Sequence, residues 1–385
     1  MSKTIYFDNA ATTAVRDEVF EAMTPYLREA YGNPSSLYKI ARDAKNAIEK
    51  AREQVAMAIG AVPSEVFFTG SGTEAVNWAL IASSFANKSK GNHIITSSIE
   101  HHAVLHSCKY LEKRGFEVTY LPVDKFGIVS VDELERAIRP ETILISIMYA
   151  NNEIGTIQPI AEIGAVTKAR GIVFHTDAVQ AIGNLPVDVK VDNVDLLALS
   201  AHKLHGPKGV GVLYIRSGVN VPAFIHGGAQ ERGRRAGTEN VASIVGLGEA
   251  ITLAKAEMDE KVEKMRKLRD KIIVTILEQV PNAQLNGHPE KRLPGNASIS
   301  FDFVEGESIL LMLDMKGIAA SSGSACTSGA LNPSHVLMAI GLPHEKAHGS
   351  LRISIGRYNT EEDADTLIEA IIPIVEKLRA MSPLC

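Results

Sequence analysis

The sequence predicts an α/β protein in which a large domain with a mostly parallel central sheet is joined to a smaller α+β domain. Between residues 66 and 214, apolar runs of strand length alternate with amphipathic helical patterns, and this alternation is typical of βαβ units. Beyond Pro281 the pattern changes to shorter strands and helices in mixed order. A chain of 385 residues also exceeds what one hydrophobic core usually holds, so we expect two folding units.

Long helices flank the predicted sheet. Apolar residues recur at three- and four-residue spacing from 37 to 60 and from 251 to 280, which predicts one amphipathic helix in each stretch, with Ser35 as the N-cap of the first. The polar stretch 282–294 is expected to be a flexible connection. The domain limits that we expect are residues 16–260 for the large domain, and residues 1–15 with 261–385 for the small domain.

The composition indicates a compact globular protein. The chain is 45% hydrophobic and carries a net charge of −5, and this mild acidity predicts neither nucleic-acid nor lipid binding. No apolar run reaches membrane-spanning length, and the first residues do not form a signal-peptide pattern. Three cysteines favour a reducing compartment without a disulfide framework. We therefore expect a cytoplasmic protein in which Cys108 packs in the core and Cys385 is dispensable.

Lys203 is the first residue that points to chemistry. It follows the apolar run 194–199, which predicts a buried strand, so its amine is expected at the carboxyl edge of the sheet, where open α/β sheets build sites. An amine held there can form a Schiff base with a carbonyl cofactor, and pyridoxal phosphate is the usual one. Taken alone, a surface lysine after a strand is the more frequent case. The neighbouring residues make the cofactor-binding interpretation of Lys203 the better one.

Asp177 and Gln180 follow another predicted strand, at 172–176. A carboxylate such as Asp177 would keep the pyridinium nitrogen of the cofactor protonated, which makes the ring an electron sink. Gln180, one turn further on, would reach the phenolic oxygen of the ring. A turn or helix cap explains Asp177 equally well when it is considered alone.

A phosphate cradle is predicted where the strand 66–69 is followed by the glycine turn 70–72 and then by a helix. This order aims free backbone N–H groups of Gly72 and Thr73 at an anion. Neither a GxGxxG pattern nor a Walker lysine is present, which argues against dinucleotide and P-loop sites and favours a single phosphate. We expect Ser200 and His202, which flank Lys203, to supply further hydrogen-bond donors to the phosphate. Ordinary loop polarity explains these two residues equally well.

These features, in this order, resemble the fold type I family of pyridoxal phosphate enzymes. The motifs YFDNAATT, GNPSS, ANNEIG, HTDAVQ, GGAQERGRRAGTEN and SSGSACTSG narrow the resemblance to the cysteine desulfurases. The segments HKLHGPKGVGVLY and QERGRRAGTEN are most similar in sequence to proteins of the NifS type, and those of the IscS type are the next most similar. The resemblance implies pyridoxal 5'-phosphate as cofactor, L-cysteine as substrate and L-alanine as product. It also implies a homodimer that supplies sulfur to an iron–sulfur scaffold protein, with nitrogenase assembly as one destination.

The resemblance assigns Cys326 the persulfide that carries sulfur away. Its surroundings are Ser, Gly, Ala and Thr with almost no apolar residue, a composition typical of a mobile loop and unlike that of a buried cysteine. A thiolate that meets the substrate and afterwards an acceptor needs such mobility. In some relatives the matching cysteine also ligates an iron–sulfur cluster shared transiently with the scaffold, and the resemblance extends that metal site to Cys326.

The resemblance places four more residues in the site. His101 matches the histidine that stacks on the ring and moves protons, although a loop histidine is more often structural. Asn152 would contact both the cofactor and the substrate. Arg352 would hold the substrate carboxylate, which suits its planar fork, while an edge-strand salt bridge explains it equally well from sequence alone. Thr238 would reach the phosphate of the partner subunit's cofactor.

Two other function classes stay open at this point. A selenocysteine lyase, or a related pyridoxal phosphate lyase or aminotransferase, would share the fold but prefer another substrate. A sulfur-assembly subunit that keeps the fold without the cofactor is a non-enzymatic alternative. The presence of both Lys203 and Asp177 argues against the second class, because each residue is required by the cofactor.

Overall fold

The computed structural model describes residues 4–322 and 333–381. The described strands are β1 (Ile5–Tyr6), β2 (Val66–Thr69), β3 (His93–Ser97), β4 (Glu117–Leu121), β5 (Thr142–Ser146), β6 (Val173–Asp177), β7 (Leu196–Ser200), β8 (Gly211–Ile215), β9 (Ala283–Leu285), β10 (Asn296–Phe301), β11 (Ile318–Ala319) and β12 (Ser350–Ser354). The described helices are α1 (Asp17–Arg28), α2 (Lys39–Ile59), α3 (Gly72–Asn77), α4 (Ser83–Asn87), α5 (His102–Glu112), α6 (Val131–Ala137), α7 (Ile160–Arg170), α8 (Val241–Ala256), α9 (Met258–Gln279), α10 (Gly306–Asp314), α11 (His335–Ala339), α12 (His344–His348) and α13 (Glu361–Met381). A π-helical turn, Trp78–Ala82, joins α3 to α4.

A seven-stranded sheet with the strand order β2-β8-β7-β6-β5-β3-β4 forms the centre of the protein. The neighbours from β4 to β7 pair in parallel, whereas β8 runs antiparallel to both β7 and β2. The prediction of a mostly parallel sheet is therefore confirmed. The strands predicted at 172–176 and 194–199 end one residue later than expected. As a result, Asp177 and Ser200 are the last residues of their strands.

Helices cover both faces of this sheet, as parallel strands require. Phe67 and Phe68 show the arrangement, because successive side chains of β2 point to opposite faces. Phe68 enters an apolar core that includes residues of α2, α7 and α8. Phe67 enters a second core formed with α3, α5 and the π-helical turn, where its ring packs edge-on against Trp78. The sheet is thus buried between two helical layers, and its carboxyl edge remains available for a site.

The C-terminal part of the chain forms a separate apolar core. The antiparallel sheet β12-β10-β9 packs there against α9, α10 and α13, with Phe301 and Ile371 fully buried. The first residues of the chain join this part, because β1 pairs in parallel with β11 and Asp8 forms a bridge with Ser354. This arrangement agrees with a small α+β unit built from both ends of the chain.

The start of α2 differs from the sequence prediction. Ser35 is not its N-cap, since the helix begins at Lys39 and the capping position is Tyr38. The Ser35 N–H is instead taken by the side chain of Asn33, at 3.0 Å. A local side-chain hydrogen bond of this kind competes with helix formation and delays the first turn.

The single helix predicted for 251–280 is also wrong, because α8 and α9 are separated by a break at Glu257. The Glu257 carboxylate lies 2.7 Å from Arg16 and also pairs with Arg357. The expected flexible connection 282–294 instead contains β9. In that stretch Arg292 is buried and donates to four backbone carbonyls. These ion pairs and hydrogen bonds join residues that local sequence patterns do not connect.

Cys108 lies in α5 and is fully buried, which confirms its expected role in core packing. Burial also raises the pKa of its thiol. Cys326 and Cys385 lie outside the described residues. Within residues 4–322 and 333–381, no helix has both the length and the apolar character that a bilayer crossing demands.

Candidate active site

The carboxyl edge of the large sheet brings together most of the predicted site residues. Asp177 ends β6 and Ser200 ends β7, and a 3₁₀ turn that follows β7 directly carries Lys203. His101 is the N-cap of α5, four residues after the end of β3. Because β3, β6 and β7 all run in the same direction, these side chains start from one edge of the sheet.

The Lys203 amine is held by backbone carbonyls of the N-terminal segment. Its Nζ donates to the carbonyl oxygens of Ala10 and Ala11, at 2.5 and 2.7 Å. Gln180 donates from Nε2 to the same Ala10 oxygen, at 3.0 Å. Lys203 and Gln180 also line a cavity of about 60 Å³. The amine and the amide predicted to contact the cofactor ring therefore meet at one backbone oxygen.

Asp177 is a buried carboxylate beside two basic groups. One oxygen accepts the Val179 N–H at 3.0 Å. Burial raises the pKa of Asp177, while the charges of His101 and Lys203 and the hydrogen bond from Val179 oppose that rise. A buried carboxylate gains most from a cation placed against it. A protonated pyridine nitrogen is such a cation.

The glycine turn 70–72 is packed closely against the two strand ends. Helix α3 begins at Gly72 with Ser71 as its N-cap, whose hydroxyl accepts the Glu74 N–H. A Cβ atom at Gly72 would lie 3.0 Å from Val179 Cγ2 and 3.3 Å from Ser200 Cβ. Glycine is therefore needed here, and the first N–H groups of the helix, which lack helical acceptors, lie beside the end of β7.

His101 faces a cleft that could admit a planar ligand. Its Nδ1 accepts the Ala103 N–H at 3.1 Å, so Nε2 is the nitrogen that can carry a proton. His101, His102 and Thr73 line a cleft of about 590 Å³, a volume within the usual range for small-molecule sites. His102 packs against His106 and another histidine ring, and burial lowers its pKa. Of the two adjacent histidines, only His101 carries an N-cap hydrogen bond at the cleft.

Arg352 and Asn152 lie together, as predicted. Arg352 is only 4% exposed, and it donates from Nη1 to the Asn152 carbonyl at 3.2 Å and from Nη2 to Asp8 at 2.9 Å. Its Nε is buried and has no hydrogen-bond partner among the described residues. A buried donor without a partner is costly, so this edge of the guanidinium is suited to an incoming carboxylate.

Two further residues predicted to contact the cofactor, His202 and Thr238, form fewer described contacts with the rest of the site. His202 pairs through Nδ1 with the Thr12 hydroxyl at 3.1 Å, and burial lowers its pKa to about 4, so the ring is neutral at physiological pH. Thr238 is exposed. It follows Arg235, which pairs with Glu74 at 2.9 Å. The described contacts do not bring Thr238 to the other site residues, and its role toward a partner subunit stays a prediction.

The residues of this edge fit pyridoxal phosphate. Lys203 offers the amine, the buried carboxylate of Asp177 suits a protonated ring nitrogen, and the turn before α3 offers backbone N–H groups next to Ser200. Among the described residues, no cluster of three or more His, Cys, Asp or Glu side chains is suited to a metal ion. The metal site expected at Cys326 lies outside the described residues.

The aminotransferase class V family matches residues 5–367. The chain belongs to this family. Its fold type I architecture and its dependence on pyridoxal phosphate follow from that membership, and both agree with the predictions from the sequence.

Relatives within the class V family are similar over the whole chain. The cysteine desulfurase IscS of Methanosarcina thermophila is 61% identical over 383 residues, which cover 100% of this chain and 95% of that protein. A solved NifS-like protein superposes with a TM-score of 0.92 at 42% identity, covering 97% of this chain and 100% of that one. The solved structure of SspA in complex with cysteine gives a TM-score of 0.82 at 39% identity, covering 92% and 99% of the two chains.

Sequence reasoning missed two acids of this class V site. Asp8 pairs with Arg352, and Glu153 is a buried carboxyl directly after Asn152. Each lies within a motif that carries the family resemblance, YFDNAATT or ANNEIG. An acidic residue within an otherwise apolar or amide-rich motif was the available signal, but no local pattern indicates its partner.

Replacing Arg352 with lysine is expected to raise the KM for L-cysteine by about tenfold, because an ammonium cannot replace the planar fork. Steady-state alanine release at varied L-cysteine concentration measures this change. Arg216→Lys is a matched control, because Arg216 pairs with Asp195 at the opposite edge of the sheet. An unchanged KM in Arg352→Lys would show that the substrate carboxylate binds elsewhere.

Proposed function

We propose that this chain is a pyridoxal phosphate-dependent cysteine desulfurase, which converts L-cysteine to L-alanine and transfers the sulfur as a persulfide on Cys326. The observation that carries the proposal is 61% identity over the full chain with a protein named as a cysteine desulfurase. The grouping of Lys203, Asp177 and Arg352 supports it, because these residues suit an amine, a ring nitrogen and a carboxylate.

Each side chain of the site has a role in this reaction. Bound pyridoxal phosphate supplies an electron sink that makes the substrate α-proton acidic. Lys203 removes that proton with its Nζ, and Asp177 holds a proton on the ring nitrogen. Arg352 orients L-cysteine through its carboxylate, and His101 moves protons through Nε2. Asn152 keeps Arg352 in place through its backbone carbonyl.

The sulfur step belongs to Cys326, whose structure lies outside the described residues. Its thiolate attacks the substrate sulfur, so an S–S bond forms while the Cβ–S bond of L-cysteine breaks. The electron pair of the broken bond stays with the three-carbon fragment, which takes up protons and leaves as L-alanine. The outer sulfur of the persulfide is then passed to an acceptor thiol.

We also propose that the protein acts as a cytoplasmic homodimer that supplies sulfur for iron–sulfur cluster assembly. Support comes from the similar proteins, which include one named cysteine desulfurase IscS and one named NifS-like protein. The exposed position of Thr238 is compatible with contact to a partner subunit. The proposed acceptor is an iron–sulfur scaffold protein, and nitrogenase assembly is one destination of its clusters.

Replacing Cys326 with alanine is expected to lower alanine release from L-cysteine by about 10²-fold or more, because the attacking nucleophile is lost. Alanine and persulfide sulfur are measured in parallel, with Cys385→Ser as the control that removes a cysteine without a proposed role. Alanine release at the normal rate by Cys326→Ala would rule out the persulfide mechanism. A preference for selenocysteine that is independent of Cys326 would instead identify a selenocysteine lyase.

A further inference from the structure

Glu74 and Arg235 form an ion pair that the proposed reaction does not use. Arg235 donates from Nε to Glu74 Oε1 at 2.9 Å and from Nη2 to Glu74 Oε2 at 3.2 Å. The Glu74 side chain is 17% exposed and that of Arg235 is 22% exposed. Two hydrogen bonds between an arginine and one carboxylate fix the direction of both side chains, and partial burial limits their screening by salt. The pair therefore holds its two chain segments in a defined relative position.

Glu74 holds the glycine turn that is predicted to bind the cofactor phosphate. Its Oε2 accepts the Gly70 N–H at 2.8 Å, and its own N–H donates to the Ser71 hydroxyl at 3.1 Å. A Cβ atom at Gly70 would lie 2.8 Å from the same Oε2 and would displace it. Both hydrogen bonds fix the backbone directly before Gly72, where the N–H groups expected to face the phosphate begin.

The helix that follows this turn is longer than α3 alone. Trp78, where α3 meets the π-helical turn, and Ser83, where that turn meets α4, both have right-handed helical backbone angles. Residues 72–87 therefore form one continuous helical stretch. The positive end of its dipole lies at the glycine turn, which favours an anion there.

Arg235 belongs to a segment that is fixed to the same strand, β2, and we call residues 231–238 the arginine segment. Glu231 accepts the Phe68 N–H at 2.9 Å and pairs with a buried arginine of α2 at 2.7 Å. Glu231 and Arg232 have positive φ angles, 44° and 59°, which non-glycine residues keep only where their surroundings hold the backbone tightly. The arginine segment is thus anchored to β2 near its start and, through Arg235, to the turn that follows β2.

Thr238 ends the arginine segment, and the family resemblance predicts that it reaches the phosphate of the partner subunit's cofactor. The backbone between Arg235 and Thr238 is also held. The Ala236 N–H donates to the Ile225 carbonyl at 3.2 Å, and the Gly237 N–H donates to a glutamine side chain at 3.1 Å. The ion pair therefore joins the two parts of the chain that are predicted to contact a phosphate.

The charge of Glu74 conflicts with its position. Its carboxylate is the acceptor that holds the turn, but a negative charge close to a bound phosphate would repel that phosphate. Arg235 removes the conflict, because its guanidinium neutralises the carboxylate while the carboxylate still accepts the Gly70 N–H. Among the described residues, the Arg235 side chain has no other hydrogen-bond partner than Glu74. Any effect of Arg235 on the turn is therefore exerted through Glu74.

We propose that Arg235 is a positioning residue for the cofactor phosphate, which acts through Glu74 and determines how strongly the site prefers pyridoxal phosphate to unphosphorylated pyridoxal. Arg235 keeps the Glu74 carboxylate on the turn and cancels its charge, so the turn keeps its shape and still accepts an anion. Neither side chain touches the reacting atoms. This inference rests on the proposed function only through the cofactor and the predicted place of its phosphate, and it does not depend on the sulfur step.

The test measures the binding of two ligands that differ only in the phosphate. Full-length protein is freed of coenzyme by dialysis against hydroxylamine and is then titrated with pyridoxal phosphate or with pyridoxal, and the absorbance of the bound ligand gives each Kd. Arg235→Gln should raise the Kd for pyridoxal phosphate by about tenfold, the loss expected when a partly buried charge loses its partner. The Kd for pyridoxal should stay as in the wild type, because this ligand brings no negative charge to the turn.

A second substitution, Glu74→Gln in the Arg235→Gln background, separates charge compensation from packing. The glutamine side-chain oxygen can still accept the Gly70 N–H, but it carries no charge, so the repulsion of the phosphate disappears. The double variant should therefore bind pyridoxal phosphate several-fold more tightly than Arg235→Gln alone. An ion pair that only stabilises the fold would give the opposite result, because the double variant would lose at least as much affinity as the single one.

Arg216→Gln is the matched control. Arg216 pairs with Asp195 at 3.0 Å, and Asp195 also accepts a backbone N–H, that of Phe174, but this pair lies at the opposite edge of the sheet. Its loss should leave both Kd values unchanged. Arg235→Lys keeps the positive charge and should bind pyridoxal phosphate more tightly than Arg235→Gln does.

Three outcomes would overturn the proposal: an unchanged Kd for pyridoxal phosphate in Arg235→Gln, equal weakening of both ligands in that variant, or a double variant that binds pyridoxal phosphate no better than the single one. If Arg235→Gln does not fold, equal weakening of both ligands in Arg235→Lys decides against the proposal. Wild-type protein that binds the two ligands equally would also reject it, because the phosphate would then not be held at the turn.

Failure of the proposed function gives a different result. Protein that shows these ligand preferences but releases no alanine from L-cysteine would refute the desulfurase activity and leave the role of Arg235 intact.

Discussion

Replacing Lys203 with alanine is expected to abolish turnover, with alanine release falling by about 10³-fold or more, since the amine both attaches the cofactor and removes the α-proton. The visible absorbance of the protein should change as well, because the covalent link to pyridoxal phosphate is lost. Alanine release and the absorption spectrum of the purified protein measure the two effects. The Ala11 carbonyl would lose the hydrogen bond from Lys203, whereas the Ala10 carbonyl would keep the one from Gln180, at a site that remains partly open to water.

Lys208→Ala is the matched control for this experiment. Lys208 is an exposed lysine in the same connection between β7 and β8, so its removal changes the local charge equally. It should leave both turnover and the spectrum as in the wild type. A Lys203→Ala protein with normal colour and normal alanine release would refute the assignment of the site.

Replacing Asp177 with asparagine should lower turnover by about 10³-fold, on the scale of preorganised charges in active sites. Asparagine has the same shape and can still accept the Val179 N–H, so the substitution removes charge and little else. Without the carboxylate, a proton on the ring nitrogen loses its stabilising partner. The measurement is alanine release at saturating cofactor and L-cysteine.

Thermal unfolding of cofactor-free protein separates this effect from damage to the fold. Burial raises the pKa of Asp177, which means that the carboxylate is unfavourable in the empty fold, so Asp177→Asn should not lower the melting temperature. Asp195→Asn is the control. The Asp195 carboxylate also accepts a backbone N–H, that of Phe174 at 3.0 Å, but it lies at the opposite edge of the sheet. A strong loss of stability in Asp177→Asn would contradict an electrostatic role.

The sheet and the residues at its carboxyl edge were predictable because both follow local rules. Strands buried on both faces appear as continuous apolar runs. The polar residues that come after each run, such as Asp177 or Lys203, lie where the chain leaves the carboxyl edge of the sheet. The requirement for glycine at position 72 also follows from a strand–turn–helix pattern. The strand limits were predicted within two residues.

The contacts that complete the site were not predictable, because they join distant parts of the chain. Asp8 and Arg352 are 344 residues apart, and Glu153 and Ser334 are 181 apart. The break between α8 and α9 has the same origin, since Glu257 is held by Arg16, 241 residues away. Periodicity reports which face of an element is buried. Periodicity does not show which charged residue from a distant part of the chain will contact that face.

The position of residues 5–13 has a consequence for how the protein is made. This stretch leaves the ribosome well before its partners, because it pairs with β11 and, through Asn9, with Ser354, 345 residues later. At a synthesis rate of about 5–20 residues per second, these partners emerge about 20 to 70 seconds after it. The carbonyls that receive Lys203 are therefore in place only after Ser354 has been synthesised, so the vitamin B6 coenzyme meets a complete pocket long after Lys203 itself has been made.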